Sequence, residues 1–228
     1  WPNAVTREYC HAQLDGHHVF KPKTFVTTVF VNMVAGPIDM NNGMFDLRQG
    51  HTTRVDESQP VPSTLVSEAA RTLIAFSGVT ILPDIPEYYR KYPALLNFLS
   101  AQKMPWKESR TLAGEIGEYI VMMRETEDAY LVGAATNESG RTIDLPLSFL
   151  EKGKYTVEVI EDGDDAHYLT NRESLKVTTW QLTNNDKLAL KLAPGGGACL
   201  VIKKTPSMRV GEQAAFPLVS PSWKIGRE

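Results

Sequence analysis

The sequence has 228 residues and a formal net charge of −3, with 42% hydrophobic and 22% charged residues. This composition is ordinary for a soluble globular protein of one or two domains. The slightly acidic balance, without a block of basic residues, argues against electrostatic binding of nucleic acid. No apolar run approaches the roughly 20 residues of a membrane-spanning helix, so we expect no membrane span.

The sequence begins at Trp1 rather than at Met and shows no signal peptide, so we expect a processed product or a piece of a longer protein. The two cysteines, Cys10 and Cys199, lie far apart along the chain. They can form a disulfide or remain two buried thiols, and their number does not fix the redox compartment.

The first half of the chain, up to about residue 103, predicts helices joined by irregular segments. Apolar residues at helical spacing predict a helix over Phe25 to Val34, capped by Thr24. The same run is rich in Val, Thr and Phe, which leaves a strand as an alternative. A second helix is predicted over Pro62 to Phe76 and ended by Gly78. A short strand or turn at VTILPD and two short helices separated by Pro93 follow.

From about Leu112 the pattern changes to short segments that often alternate between apolar and polar residues. Turn residues separate these segments, and the spacing predicts an antiparallel β-sandwich. A helical half followed by an all-β half indicates two domains, with the boundary near Lys103 to Leu112. The helical half contains few strands and is typical of the end of a larger fold, such as the last units of a barrel. The predicted strands lie in EYIVMMRE, AYLVGAATN, TIDLPLSFL, YTVEVIEDG, SLKVTTWQL, KLALKLAPGGG and ACLVIKK.

Two polar clusters in the first half are candidates for chemistry. The first, TREYCHAQLDGHH at residues 6–18, contains side chains that could bind zinc or a hard cation. The alternative is an ion pair between Arg7 and Glu8 followed by a solvated turn. The second cluster, GPIDMNNG at residues 36–43, places Asp39 directly after an apolar segment. Its carboxylate could serve a binding site or bond to the amides of the following turn.

Four segments, in order, resemble the C-terminal part of glycoside hydrolase family 97, a family of α-glucosidases and α-galactosidases. The resemblance covers residues 1 to about 205. Its closest matches are a T-R-E triplet, an A-G-P-I-D step and the W-x-E-S-R-x-L-x-G-x-x-G-E-Y run. The segments are WPNAVTRE, VNMVAGPIDMNNG, PWKESRTLAGEIGEYIVMMRE and YLVGAATNESGRTIDLPLSFL.

The resemblance implies an α/β plus all-β architecture. Residues 1–105 would be the C-terminal part of a (β/α)₈ TIM-barrel catalytic domain. Residues 106–205 would be a C-terminal antiparallel β-sandwich, and residues 206–228 a tail. Such a piece lacks most of its barrel, so we expect it to be inactive in isolation. The remaining part of the barrel or another chain would be needed to complete the site.

The resemblance also implies the chemistry, which is hydrolysis of an α-glycosidic bond near a bound calcium ion. Glu8, in the T-R-E triplet, inherits the role of calcium ligand in the catalytic site. The general acid of the family lies six residues later, where this chain has Leu14. The nearest carboxylate is Asp15, which we predict to be the proton donor. The second catalytic carboxylate lies upstream in the family, so the choice between inversion and retention stays open.

At the barrel mouth, Asp39, Asn41 and Asn42 are predicted to contact the hydroxyls of an oligosaccharide substrate. Gly36 and Pro37 would allow the change from the last helix to the last strand. The resemblance further implies a periplasmic or secreted location.

The alternative is a non-catalytic carbohydrate-binding or structural module, or a catalytically inactive member of the family. Trp106 and Trp180 could stack on sugars, but we expect them to fill the core of the sandwich. An exposed platform of coplanar aromatic rings would favour the binding module. Glu115 and Glu118 are expected to cap or to form ion pairs at the domain junction.

Overall fold

The computed structural model describes residues 21–39, 42–47, 61–78 and 80–205. In these ranges, helices precede an all-β region, as the sequence predicts. The helical elements are α1 Pro22–Val31, a 3₁₀ turn Met33–Ala35, α2 Leu65–Ile74, α3 Pro86–Arg90 and α4 Pro93–Ala101. The strands are β1 Glu108–Glu115, β2 Tyr119–Glu125, β3 Tyr130–Thr136, β4 Arg141–Pro146, β5 Lys154–Asp162, β6 Leu175–Thr183, β7 Lys187–Leu192 and β8 Gly197–Lys204.

The first predicted helix is confirmed, but its start is not where the sequence predicted it. α1 begins at Pro22, and Thr24 lies inside the helix rather than at its cap. Proline has no N–H to be satisfied and its fixed φ suits the first helical position, so the helix starts without a side-chain cap. The strand alternative for this segment is wrong.

The second predicted helix is confirmed as α2, with a side-chain cap that sequence reasoning did not identify. The hydroxyl of Thr64 accepts a hydrogen bond from the backbone N–H of Ser67 at 3.1 Å. The helix ends at Ile74, before the predicted stop at Gly78, because Ala75 already has extended backbone angles. Every residue of α2 is buried, including the charged side chains of Glu68 and Arg71. The two short helices are confirmed as α3 and α4.

All seven predicted strand segments are confirmed as β2 to β8. β1 was not predicted as a strand, since its sequence ESRTLAGE is polar and only partly alternating. Such a sequence suits an edge position, where one side of the strand faces solvent. No strand forms over Thr80–Asp84, the described part of the VTILPD segment.

The strands form an antiparallel six-stranded sheet in the order β1-β2-β3-β8-β5-β6 and a separate antiparallel pair, β4-β7. Successive side chains of a strand point to opposite faces of the sheet. Met122 of β2 and Leu131 of β3 therefore pack against the helices. Their neighbours Val121 and Val132 pack against β4 and β7. Both faces of the central strands are covered, which explains why β2, β3 and β8 are apolar at nearly every position.

The helices lie on one face of the six-stranded sheet and share a core with it. α2 contacts β3 and β8 most closely, and glycines permit this approach. A Cβ on Gly133 would lie 2.9 Å from the carbonyl oxygen of Ala70, and a Cβ on Gly197 would lie 2.8 Å from the Cα of Ser67. Any larger residue would push the helix away from the sheet. Cys199 is a free, buried thiol in this core, and Cys10 lies outside the described residues.

A buried carboxylate joins the start of α2 to the turn between β7 and β8. Oδ2 of Asp162 accepts backbone hydrogen bonds from Ala193 at 3.1 Å and from Gly197 at 2.7 Å. The hydroxyl of Thr64 also bonds to this carboxylate. Burial outweighs these favourable bonds and raises the pKa of Asp162 to about 6.

The raised pKa of Asp162 predicts how stability depends on pH. The folded state binds the proton more tightly than the unfolded state, so this group's contribution falls as pH rises from about 4 to about 6. Asp162→Asn keeps an acceptor oxygen but cannot ionise. We expect the variant to gain stability relative to wild type, by up to roughly 3 kcal/mol, between pH 4 and pH 7. Urea unfolding at both pH values measures this difference.

Asp128→Asn is the matched control, because the side chain of Asp128 is 65% exposed. The control should show the same pH dependence as wild type. Parallel stability curves for Asp162→Asn and wild type would contradict the assignment.

Candidate functional site

The change from helix to strand that the sequence predicts at Gly36 and Pro37 is wrong in its second half, because no strand forms over residues 37–39 or 42–47. Gly36 has φ +117°, a conformation that favours glycine. Two residues later, the backbone N–H of Ile38 donates a 2.9 Å hydrogen bond to the carbonyl of Phe76, beyond the end of α2. Ile38 is buried and Asp39 is half-buried. The predicted site segment is therefore attached to the end of α2.

Residues 42–47 are all buried and run beside α2 without forming a strand. Gly43 has φ +90°, and its backbone N–H donates to Oε2 of Glu68 at 3.2 Å. A Cβ on Gly43 would lie 2.8 Å from Cγ2 of Thr72. Both its backbone conformation and its close contact with α2 therefore require glycine at this position.

Two further side chains fix the same segment from its other side. The hydroxyl of Tyr89 donates to the carbonyl of Gly43 at 3.0 Å and accepts from the N–H of Asp84 at 3.1 Å. Oδ2 of Asp84 accepts from the N–H groups of Phe45 at 3.0 Å and Asp46 at 2.7 Å. Burial raises the pKa of Tyr89 to about 12, so its hydroxyl keeps its proton at neutral pH.

A buried ion pair lies at the centre of this arrangement. Nη1 of Arg71 is 3.0 Å from Oε1 of Glu68, and both side chains are at most 1% exposed. The guanidinium also lies over the ring of Phe25, 4.8 Å from its centroid. Desolvation lowers the pKa of Arg71, and the Glu68 carboxylate opposes that effect. Within the described residues, Nε and Nη2 of Arg71 have no hydrogen-bond partner.

Asn42, one of the predicted site residues, has a buried side-chain amide. Its side chain is 2% exposed, and neither Oδ1 nor Nδ2 has a hydrogen-bond partner in the described part of the chain. A buried amide without partners is costly and calls for an explanation. Asn42 directly precedes Gly43, whose conformation is fixed by Glu68 and Tyr89.

The remaining predicted site residues, Glu8, Asp15 and Asn41, lie outside the described residues, as does Leu14. The catalytic acid and the calcium ligand therefore stay predictions. Within the described residues, no cluster of three or more His, Cys, Asp or Glu side chains could hold a metal ion. Glu8, the predicted calcium ligand, is not among these residues.

The two tryptophans have different environments. Trp106 is half-buried beside Phe76, with the guanidinium of Arg124 4.5 Å from its ring centroid. Trp180 is 50% exposed, so its predicted place in the core is wrong. It lines a groove of about 370 Å³ between β6 and β7, in which no other lining residue is aromatic. The platform of coplanar rings that would favour a binding module is therefore not formed in this groove.

Other features follow the expectations from the sequence in part. Glu118 forms an ion pair with Arg141 at 2.8 Å, as predicted, although its partner is in β4 rather than at the domain junction. In the part of the chain that the structure describes, no helix is long and apolar enough to span a membrane. Sequence reasoning did not identify Glu68, Arg71 or Asp84, because their role depends on contacts between distant segments.

Comparisons with known proteins agree with the sequence resemblance. Residues 105–203 match the family model described as "Glycosyl-hydrolase 97 C-terminal, oligomerisation". The chain is 31% identical over 175 residues, 76% of its length, to a retaining alpha-galactosidase of Bacteroides thetaiotaomicron. It is 26% identical over 72% of its length to a probable retaining alpha-galactosidase of Streptomyces bingchenggensis. The chain spans 26% and 24% of these relatives, about a quarter of their length.

Solved structures show the same relationship. A glycoside hydrolase family 97 enzyme from a Pseudoalteromonas species, in complex with acarbose, superposes with a TM-score of 0.81 and 28% identity. The match covers 90% of this chain and 32% of that enzyme. A beta-arabinopyranosidase has the same fold over 89% of this chain and 32% of its own, with a TM-score of 0.67 and 21% identity.

The buried ion pair gives a second prediction. Arg71→Met leaves the Glu68 carboxylate buried without its partner, so we expect unfolding to become easier by about 3–5 kcal/mol. The double variant Glu68→Gln with Arg71→Met has no unpaired charge and should recover most of that loss. Urea unfolding of wild type and both variants provides the measurement. Equal losses in the single and double variants would contradict this account.

Proposed function

We propose that this chain, which belongs to glycoside hydrolase family 97, is part of an enzyme that hydrolyses α-galactosides. It corresponds to the C-terminal portion of the family's members. The observation that carries this proposal is the 31% identity to a retaining alpha-galactosidase over 76% of the chain. Retention of configuration is proposed on the same ground. It requires two catalytic carboxyl groups about 5 Å apart.

In this proposal the two halves of the chain have separate tasks. Residues 1–105 form the last part of a (β/α)₈ barrel and contribute to the catalytic site. Residues 105–203 form the β domain, which is not catalytic and takes part in oligomerisation, the role named in the matching family description. The superposition on a family enzyme extends over 90% of the chain and so supports a shared arrangement beyond the β domain.

Three residues of the first half carry the proposed chemistry. Asp15 would donate a proton to the leaving oxygen, because Leu14, at the position of the family's acid, cannot do so. Glu8 would bind a calcium ion, which orients sugar hydroxyls when bound. Asn42 would offer its amide to a substrate hydroxyl, since a sugar can supply both the donor and the acceptor that its buried Oδ1 and Nδ2 lack among the described residues.

The activity is tested on the full-length protein rather than on this portion. We expect hydrolysis of aryl α-galactosides in preference to aryl α-glucosides, with loss of activity on calcium chelation. Asp15→Asn should lower kcat/KM by about 100-fold or more, because general acid catalysis contributes factors of that size. Activity that survives Asp15→Asn would place the proton donor elsewhere. Hydrolysis of neither substrate would contradict the proposed activity.

Asn42→Ala separates a substrate contact from a structural role. The amide makes no hydrogen bond in the described part of the chain, so its removal loses no bond there and should not lower the free energy of unfolding by more than about 1 kcal/mol. A substrate contact would appear as a rise in KM or a fall in kcat/KM.

Ser67→Ala is the matched control for this variant. The Ser67 hydroxyl is also buried without a partner among the described residues, but it lies on α2 beside Gly197. The control should leave both stability and kinetics unchanged. An Asn42→Ala enzyme with unaltered kinetics would remove Asn42 from the site.

A further inference from the structure

The two edges of the six-stranded sheet differ in how they are protected against pairing with another strand. β1 carries Glu108, Arg110 and Glu115, and its register is interrupted by a bulge between Thr111 and Ala113. Charges and bulges are the usual means of preventing edge-to-edge association. The β1 edge is therefore protected.

The opposite edge, β6, has no bulge and only a single charged side chain. Its nine residues, Leu175–Thr183, include one charged side chain, Lys176, and pair with β5 without an interruption of register. Val177 and Trp180 are 43% and 50% exposed. A long, regular and weakly charged edge strand is a ready template for another strand.

The register shows which backbone groups of β6 face outward. The N–H of Gly163 donates to the carbonyl of Ser174, and this pair continues the β5-β6 ladder. Hydrogen-bonded and non-hydrogen-bonded pairs alternate along an antiparallel ladder. The residues whose N–H and C=O groups point away from β5 are therefore Leu175, Val177, Thr179, Gln181 and Thr183.

The backbone groups of Thr183 agree with this alternation, and both already have a hydrogen-bond partner outside β5. Its N–H donates to Oδ2 of Asp186 at 2.7 Å, and its carbonyl accepts from the N–H of Asp186 at 3.2 Å. Among the described residues, no strand pairs with the outward side of β6. The groups available for pairing on this edge are thus those of Leu175, Val177, Thr179 and Gln181.

These four residues are arranged symmetrically about Thr178. A second β6 strand, antiparallel to the first and related to it by a two-fold axis through Thr178, would pair Leu175 with Gln181 and Val177 with Thr179. All four residues of both strands would then exchange their N–H and C=O groups. In the same register, Lys176 of each strand lies opposite Trp180 of the other strand. An ammonium group can therefore lie against an indole ring at two symmetric positions.

We propose that β6 is the surface on which two copies of this chain associate, through an antiparallel β6-β6 pair centred on Thr178. The inference rests on the oligomerisation role within the proposed function and names its surface. A second copy is favoured as the occupant because the edge is complementary to itself under a two-fold axis, as an isologous dimer requires. Lys176 meets a tryptophan rather than another lysine in this register.

The test uses the full-length protein and sedimentation velocity over a range of concentrations. Wild type should sediment as a dimer that dissociates on dilution. Trp180→Lys places a lysine opposite Lys176, and we expect the dissociation constant to rise at least tenfold. The double variant Lys176→Glu with Trp180→Lys replaces like charges by opposite charges and should restore the dimer.

Val177→Pro tests the backbone pairing separately. The proline removes an N–H that points away from β5, so the β5-β6 ladder is kept while an intermolecular bond is lost. This variant should also dissociate, whereas the control Arg110→Glu on the β1 edge should not. Restoration of the dimer by the double variant excludes misfolding as the cause of dissociation in Trp180→Lys, and an unchanged urea unfolding midpoint excludes it in Val177→Pro.

A monomeric wild type overturns the proposal, and so does a dimer that both Trp180→Lys and Val177→Pro leave unchanged. An assay of the same samples for hydrolysis of aryl α-galactosides distinguishes failure of the proposed association surface from failure of the proposed enzymatic activity. A dimer with the expected variant behaviour but without hydrolysis refutes the enzymatic proposal alone. Hydrolysis by a monomeric wild type refutes the association surface alone.

Discussion

The burial of α2 on all sides is the constraint on which the rest of the described structure depends. On one side its backbone reaches the sheet, because Gly133 and Gly197 offer no side chain to keep it away. On another side Glu68 bonds to the backbone of Gly43. The helix thus connects the β domain directly to the segment that precedes it, and the position of Asn42 is defined relative to the sheet through this one element.

Placing Glu68 and Arg71 inside the protein is not explained by stability alone. A buried ion pair carries a desolvation cost that its attraction often fails to recover, and apolar residues of similar size commonly do as well. What apolar residues could not provide is an acceptor for the N–H of Gly43, whose left-handed backbone exposes that group to α2. We therefore interpret the pair as a device that orients residues 42–47 rather than as a source of folding free energy.

The elements that the sequence predicted well are those whose pattern is local. Alternating apolar residues and turn signals identified β2 to β8, and helical spacing identified α1 and α2. β1 was missed because an edge strand needs no alternation. The depth of α2 was missed because Glu68 and Arg71 suggest a solvent-facing side, whereas contacts with distant segments decide their burial. Trp180 was expected in the core because large aromatic residues usually fill one, but it is half exposed on an edge strand, β6, whose outer side pairs with no strand in the described part of the chain.

The same distinction applies to the candidate site. The A-G-P-I-D step led to Asp39 and Asn42, since a polar cluster after an apolar segment is visible in the sequence. Asp84 and Tyr89, which hold that cluster in place, follow it by about 40 residues, and no spacing rule connects them. Residues that contact a ligand tend to lie in short motifs, whereas the residues that position them are distributed according to the fold.

The connection between β5 and β6 joins the proposed association surface to the helices. The carbonyl of Arg172 accepts from the N–H of Leu65, the first residue of α2, and its guanidinium donates to the carbonyl of Val61. Glu173 pairs with Lys91 beside α3. The residues that lead into β6 are therefore also those that hold the start of α2.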